Sequence, residues 1–261
     1  MLSYQHAYHA GNLADLHKHA LLASMLAYLT EKPKPLSYLE THAGRGLYDL
    51  GSAEAVKTGE AEAGISRALA EGWLPKDHPL LHVLAEVRRD FGPDAYPGSP
   101  LIAQVLLRPG DQIHLAELHP QEAEALADAA PFARIHHQDG FRMANALTPP
   151  TPRRGLLLID PSFEVKADYE SIPRFMAQIG KKWNVGVQAL WYPLLTDGRH
   201  GPMLKALEAN FPDGLRHEVH FPPARPGHGM IGSGMFTTNP PYGIAAEAAR
   251  LDDIFARLQR G

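Results

Sequence analysis

The chain has 261 residues, 44% of them hydrophobic and 21% charged, enough to bury a sizeable core as one α/β domain with an insertion. It contains no cysteine, which excludes disulfides, thiolate nucleophiles, iron–sulfur clusters and cysteine-ligated zinc. A formal net charge of -4 argues against broad non-specific nucleic-acid binding while leaving room for a local basic face. No run approaches the roughly 18 apolar residues that span a bilayer, and nothing resembles a signal peptide, so a cytoplasmic location is expected.

A polar aromatic and histidine cluster, Tyr4, His6, Tyr8, His9, Gly11 and Asn12, precedes apolar residues that recur at helical spacing from Leu13 to Leu29. Asn12 is therefore expected to cap a helix that carries Lys18 and His19 and runs to about Thr30, after which Pro33 and Pro35 stop it. The four histidines His6, His9, His17 and His19 have no carboxylate at the spacing of H-E-x-x-H, so no metal site is expected, and polar contacts to a ligand or to the core account for them.

Leu36–Gly46, L-S-Y-L-E-T-H-A-G-R-G, reads as a strand that delivers Glu40 into a turn where Gly44 and Gly46 let backbone approach a ligand. This suits a doubly wound α/β sheet, whose ligands sit at the carboxyl ends of the strands. Two glycines also make an ordinary turn, and the strict dinucleotide pattern fails because Asp49 stands where a third glycine is needed. Residues 49–96 are too long for a crossover and read as a small helical insertion, suited either to recognising a macromolecular substrate or to packing on the sheet edge. The chain returns at Tyr96-Pro97-Gly98-Ser99-Pro100, with Ser99 as an expected N-cap.

The second half alternates strand and helix, and successive strands end in Glu117, in Asp139 followed by Gly140, and in Asp160. In a parallel sheet these acids share one edge. Glu117 suits a ribose diol and Asp139 an exocyclic adenine amine, although Asp139 serves equally well as a helix N-cap. Asp160-Pro161-Ser162-Phe163 looks like the D/N-P-P-Y/F/W motif of amino-group methyltransferases acting on adenine N6. The Asp160 carboxylate and the Pro161 carbonyl can both accept from an amine, and Phe163 can stack on a flat base. A rival copy, Asn239-Pro240-Pro241-Tyr242, matches that motif more closely but follows what reads as the last strand, so a strand-ending turn is expected there.

These strings together resemble a bacterial 23S ribosomal RNA adenine-N6 methyltransferase family with the N-terminal signature M-L-S-Y-x-H-x-x-H-A-G-N-x-A-D-x-x-K-H, matched from Met1 to His19. Further matches are T-H-A-G-x-G at Thr41–Gly46, Y-P-G-S-P-L-I-A at Tyr96–Ala103, E-L-H-P at Glu117–Pro120, D-G-F at Asp139–Phe141, L-I-D-P at Leu158–Pro161, L-W-Y-P at Leu190–Pro193 and S-G-M with N-P-P at Ser233–Pro241. The resemblance implies a class I, Rossmann-like fold: a seven-stranded, mostly parallel sheet with an antiparallel C-terminal hairpin and a helical insertion. It also implies S-adenosyl-L-methionine as cofactor. By the same resemblance, Lys18, His42 and Ser99 would serve the methionine end, Glu117 the ribose and Asp139 the adenine, with His19, Gly44, Gly140 and Asp160 also among the cofactor-binding residues. Asp160, with Pro161 and Phe163, would orient the target amine, and Tyr4 would close over the acceptor base. Ser162 and Phe163 depart from the usual D-P-P-Y.

A monomer acting on 23S ribosomal RNA, without a membrane, is the expected state. Arg45, Arg153, Arg154, Lys181, Lys182, Arg199, Arg225 and His228 are candidate RNA contacts or simply a solvated surface. The alternatives are a methyltransferase on another adenine-containing nucleic acid, a non-catalytic RNA-binding module, which would have no need to retain Asp160, and a nicotinamide oxidoreductase, which lacks its G-x-G-x-x-G.

Overall fold

The structure, a computed structural model, describes residues 6–222 and 229–258. Tyr4, Arg225 and His228 lie outside the described residues. Seven strands form one sheet: β1 (Ser37–Glu40), β4 (Gln112–Ala116), β5 (Arg134–His136), β6 (Gly155–Ile159), β7 (Val187–Leu195), β8 (Leu215–His220) and β9 (Met230–Thr238). Their order is β5-β4-β1-β6-β7-β9-β8, parallel from β5 to β7 and antiparallel where β9 joins β7 and β8. This is the expected mostly parallel sheet with a C-terminal antiparallel hairpin.

Strand alternation sorts the core into two layers. On β6, Leu156 and Leu158 face one way and Leu157 and Ile159 the other, each fully buried. The first face is covered by α1 (Leu13–Thr30), α4 (Pro79–Phe91), α5 (Ser99–Leu106), α6 (Pro120–Ala129) and α10 (Ile244–Leu258). The second is covered by α7 (Gly140–Leu147), α8 (Asp168–Lys182) and α9 (His200–Asn210). Asn12 caps α1 as expected, its side chain accepting from the Asp15 amide at 2.9 Å.

Segment 49–96 is bracketed by a two-stranded antiparallel ribbon, β2 (Leu47–Asp49) with β3 (Ala95–Pro97), which stands outside the main sheet. Between them lie α2 (Ala53–Thr58), a π-helical turn at Glu62–Ser66, α3 (Arg67–Ala70) and α4. Leu80, Val83, Leu84 and Val87 of α4 join the core on the α1 face, so the segment shares that core. Its π turn also holds the N-terminal residues: the Ile65 amide donates to Gly11 O at 2.8 Å, and a Cβ on Gly64 would sit 2.2 Å from that carbonyl.

The cap of α5 differs from expectation. Gly98 is the N-cap and Ser99 the first helical residue, because the Ser99 hydroxyl is turned inward to donate to Glu40. Asn239-Pro240-Pro241-Tyr242 is a turn at the amino edge of the sheet. Thr238 pairs with Gln188 near the start of β7, Asn239 Nδ2 donates to the carbonyls of Asn184 and Gly186 at 3.0 and 2.8 Å, and Tyr242 is 85% exposed. Asp160 leaves the opposite, carboxyl edge directly after β6.

Candidate active site

The carboxyl ends of β1, β4, β6 and β7 open into a cavity of about 620 Å³, closed on the other side by α1 and by residues 58–60 of the insertion. Lys18, His19, His42, Gly44, Ser99, Glu117, Asp160, Pro161 and Phe163 all line it. Asp139 and Gly140 do not. Asp139 caps α7, accepting from the Arg142 amide at 2.7 Å, with its side chain toward solvent. Gly140 packs so closely that a Cβ would lie 1.8 Å from Thr41 O, which fixes the start of α7 against the end of β1.

Gly44 has φ +60, and a Cβ there would meet Tyr48 Oη at 2.6 Å, so both conformation and space call for glycine. The loop is braced by Glu117, whose carboxylate accepts from the Gly44 amide at 2.9 Å and from the His119 amide at 2.8 Å. Each oxygen keeps a lone pair for a ligand hydroxyl. Beside it, His119 Nδ1 is buried without a partner among the described residues.

Asp160 follows the parity of Leu156 and Leu158, which turns it toward α1. There Lys18 Nζ lies 2.7 Å from Asp160 Oδ2 and 3.1 Å from Asp15 Oδ1. Asp15 also accepts from His6 Nε2 and the Gly11 amide, both at 2.9 Å, so it ties the N-terminal turn to the site. Burial opposes the Lys18 charge, but Asp160 and Asp15 outweigh it and hold the ammonium above its ordinary pKa. Burial also acts against the Asp15 carboxylate, and there His6, Lys18 and His19 prevail and keep it well below its usual value. Asp160 Oδ1 accepts no bond from the described residues, which leaves it available to a substrate amine.

Beneath the glycine loop, Glu40 is fully buried and accepts from Tyr38 Oη at 2.8 Å and from Ser99. Burial pushes its carboxyl up to about 8, against the two hydrogen bonds. His42 is lowered to about 4 by burial, with Asp160 and Asp139 acting the other way, and His19 falls to about 3 for the same reason. Both rings are therefore neutral at physiological pH. His19 Nδ1 is bonded to Tyr96 Oη at 2.8 Å and His42 Nδ1 to Thr41 Oγ1 at 2.8 Å.

The family model described as ribosomal RNA large subunit methyltransferase D, RlmJ, matches residues 33–259. The chain belongs to this family. The methyltransferase is 41% identical over 252 residues to the Escherichia coli K12 protein named ribosomal RNA large subunit methyltransferase J, covering 93% of this chain and 88% of that one. It is 37% identical to the Haemophilus influenzae protein of the same name, covering 95% and 90%. A crystal structure of a Legionella pneumophila protein superposes with a TM-score of 0.86 at 36% identity, covering 96% of this chain and 94% of that one.

The cofactor of the methyltransferase is S-adenosylmethionine. The residues present fit it: a glycine loop with no room for a Cβ, a carboxylate with spare acceptor capacity, the orphaned His119 nitrogen and a buried ammonium share one cavity. His119, Tyr169 and Trp191 line the cavity too, and sequence reasoning assigned them no role. His119 and Trp191 stood inside the quoted strings E-L-H-P and L-W-Y-P, where a signal was present. Tyr169 had none: it sits on α8, its hydroxyl buried without a partner among the described residues, its ring 4.7 Å from that of Phe163.

The basic candidates divide. Arg45 is at the cavity side, bonded to Glu122 at 3.0 and 2.6 Å. Arg153 and Arg154 precede β6 and so stand at the opposite edge, where they bond Asn184 and the backbone of Leu29 and Lys34. Arg199 is paired with Asp197.

Proposed function

We propose that this protein methylates the exocyclic N6 amine of an adenine in 23S ribosomal RNA, with Asp160 orienting the amine. One observation carries the reading: Asp160 leaves the central strand into the cavity with Oδ2 fixed by Lys18 and with Oδ1 accepting no bond from the described residues, in a cavity that Phe163 also lines. S-adenosylmethionine supplies an electrophilic methyl group on a sulfonium. Adenine N6 is a poor nucleophile because its lone pair is delocalised into the ring. Acceptance of its N–H bonds by Asp160 Oδ1 and the Pro161 carbonyl aims that lone pair along the transfer direction and takes up the charge that develops on nitrogen. Phe163 holds the base flat after it has left its stack. Lys18 spends two of its three N–H bonds on Asp15 and Asp160, and the third suits the cofactor carboxylate. Glu117 and His119 suit the ribose hydroxyls.

Asp139, which follows β5 and acts electrostatically on His42, is kept as the residue that would accept from the cofactor adenine. Tyr4 is kept as the residue that closes over the acceptor base. The insertion, 49–96, places Gly59 and Glu60 at the cavity and is read as the part that grips RNA. The described residues of one chain line the cavity, which suits a monomer, and no helix among them is long and apolar enough to cross a membrane. A ribosomal RNA substrate favours action in the cytoplasm.

The test is transfer of labelled methyl from S-adenosylmethionine to 23S RNA from cells lacking the activity, with Asp160→Ala and Asn239→Ala alongside. Label on adenine N6 that is lost in Asp160→Ala and kept in Asn239→Ala is expected. Loss only in Asn239→Ala moves the chemistry to the other edge of the sheet, and label on another atom ends the N6 reading.

A further inference from the structure

Trp191 stands in the cavity wall with Lys18 Nζ 5.7 Å from its ring centroid and the Phe163 ring 6.3 Å away. Its nitrogen donates to Ser233 Oγ at 2.9 Å. From there a series of bonds runs under α1: Ser233 Oγ to His17 Nδ1 at 2.8 Å, His17 Nε2 to His217 Nδ1 at 2.9 Å, and His217 Nε2 to Asp252 Oδ1 on α10 at 3.0 Å. Ser233, His17 and His217 are buried, and none has a part in the reaction as read above.

The two ends fix the outer proton positions, and with one proton on each imidazole the inner ones follow. An indole nitrogen only donates and a carboxylate only accepts. His217 Nε2 therefore carries a proton for Asp252, and its Nδ1 accepts from His17 Nε2–H. His17 Nδ1 is then an acceptor, and its only donor is the Ser233 hydroxyl, whose oxygen receives the indole N–H. Every donor meets an acceptor in a single direction, with one proton on each imidazole. Burial, and then His217, hold the His17 pKa well below its ordinary value, in keeping with a neutral ring.

A side chain packed on one side and facing a cavity on the other has open space to rotate into, and a buried bond to its edge removes that freedom. We propose that Ser233, His17 and His217 form a directional hydrogen-bond chain that clamps the Trp191 indole as the wall against which the acceptor base is seated. Ser233 and His17 are thus positioning residues for methyl transfer. The inference rests on the adenine reading above, because the base is what the wall receives.

The test uses the full chain as wild type, Ser233→Ala, Trp191→Phe and the double variant. Methyl transfer is followed at saturating 23S RNA, cofactor affinity by calorimetric titration, and indole mobility by acrylamide quenching of tryptophan emission, with Trp191→Phe supplying the background of the other two tryptophans. Ser233→Ala is expected to lower kcat about tenfold, the effect of losing one buried hydrogen bond at the transition state, with cofactor affinity unchanged. Quenching of Trp191 should rise, and the double variant should be no slower than the slower single one. Independent, multiplying losses overturn the clamp, as does a Ser233→Ala protein that is less stable but retains wild-type kcat and quenching. Should Ser233→Ala fail to fold, His17→Gln carries the same comparison. Wild-type protein that transfers nothing to adenine overturns the reading of the reaction, and the quenching comparison still decides whether Ser233 holds the indole.

Discussion

Lys18 Nζ and Asp160 Oδ2 are 2.7 Å apart, which joins the first helix to the end of the central strand across 142 positions of sequence. With Asp15 on its other side at 3.1 Å, the ammonium is all that separates two carboxylates in a buried site. Lys18→Met leaves Asp160 without its cation and Asp15 with only His6 and the Gly11 amide at hydrogen-bond distance, and is expected to destabilise the fold by about 3 kcal/mol, since breaking a buried pair strands its partner. Guanidinium unfolding at neutral pH checks this, and an unmoved midpoint would show that the pair contributes nothing.

Phe163 adopts φ 55 while lining the cavity, so a strained backbone presents its ring to the substrate. Phe163→Ala is expected to lower kcat/KM for RNA by about 10- to 100-fold, the range of one lost base–aromatic stack. Cofactor affinity should hold. Steady-state kinetics with a titration of RNA separates this from a general loss of structure, which would weaken cofactor binding as well.

Glu40 gives the fold a pH dependence. Unfolded, its carboxyl ionises near 4.5, and folded it keeps its proton to about 8. Between those values the folded chain holds the extra proton, so this contribution is complete below the lower pKa and is lost as pH rises through the upper one. Glu40→Gln never ionises. Its stability should change less with pH across that window, and at about pH 9 it should exceed wild type. Denaturant titrations at both ends of the window decide the point, and parallel pH profiles would mean that Glu40 titrates normally.

Gly140 leaves no space at the junction of β1 and α7. A Cβ 1.8 Å from Thr41 O has to move backbone, so Gly140→Ala is expected to cost about 3 kcal/mol, at the upper end of overpacking. Thermal unfolding measures the cost. Cofactor affinity should fall with it, because Thr41 leads directly into the glycine loop.

Much of the site was legible because it is local. The glycine loop, the acid at each strand end and the helix cap at Asn12 are carried by residues a few positions apart, where period and turn chemistry are readable. The choice of Asp160 over the better-matching Asn239 tetrad also came from chain order, and the β7–β9 register places the two at opposite edges of the sheet. Arg153 and Arg154 show the limit. A basic pair in a loop carries no mark of which sheet edge it occupies, and these stand away from the cavity.

What the sequence determined by itself was the alternation of strands and helices, the glycine loop and the acids that end its strands, since each follows from backbone geometry along a short stretch. Tertiary structure alone decided which of those groups meet. Lys18 reaches Asp160, Ser99 turns inward to Glu40, and His17 joins Trp191 to Asp252 through Ser233 and His217. These partners lie up to 216 positions apart, and the stacking of α1, α5 and α10 on one face of the sheet, with the pairing of β7 and β9, brings their side chains within hydrogen-bonding distance.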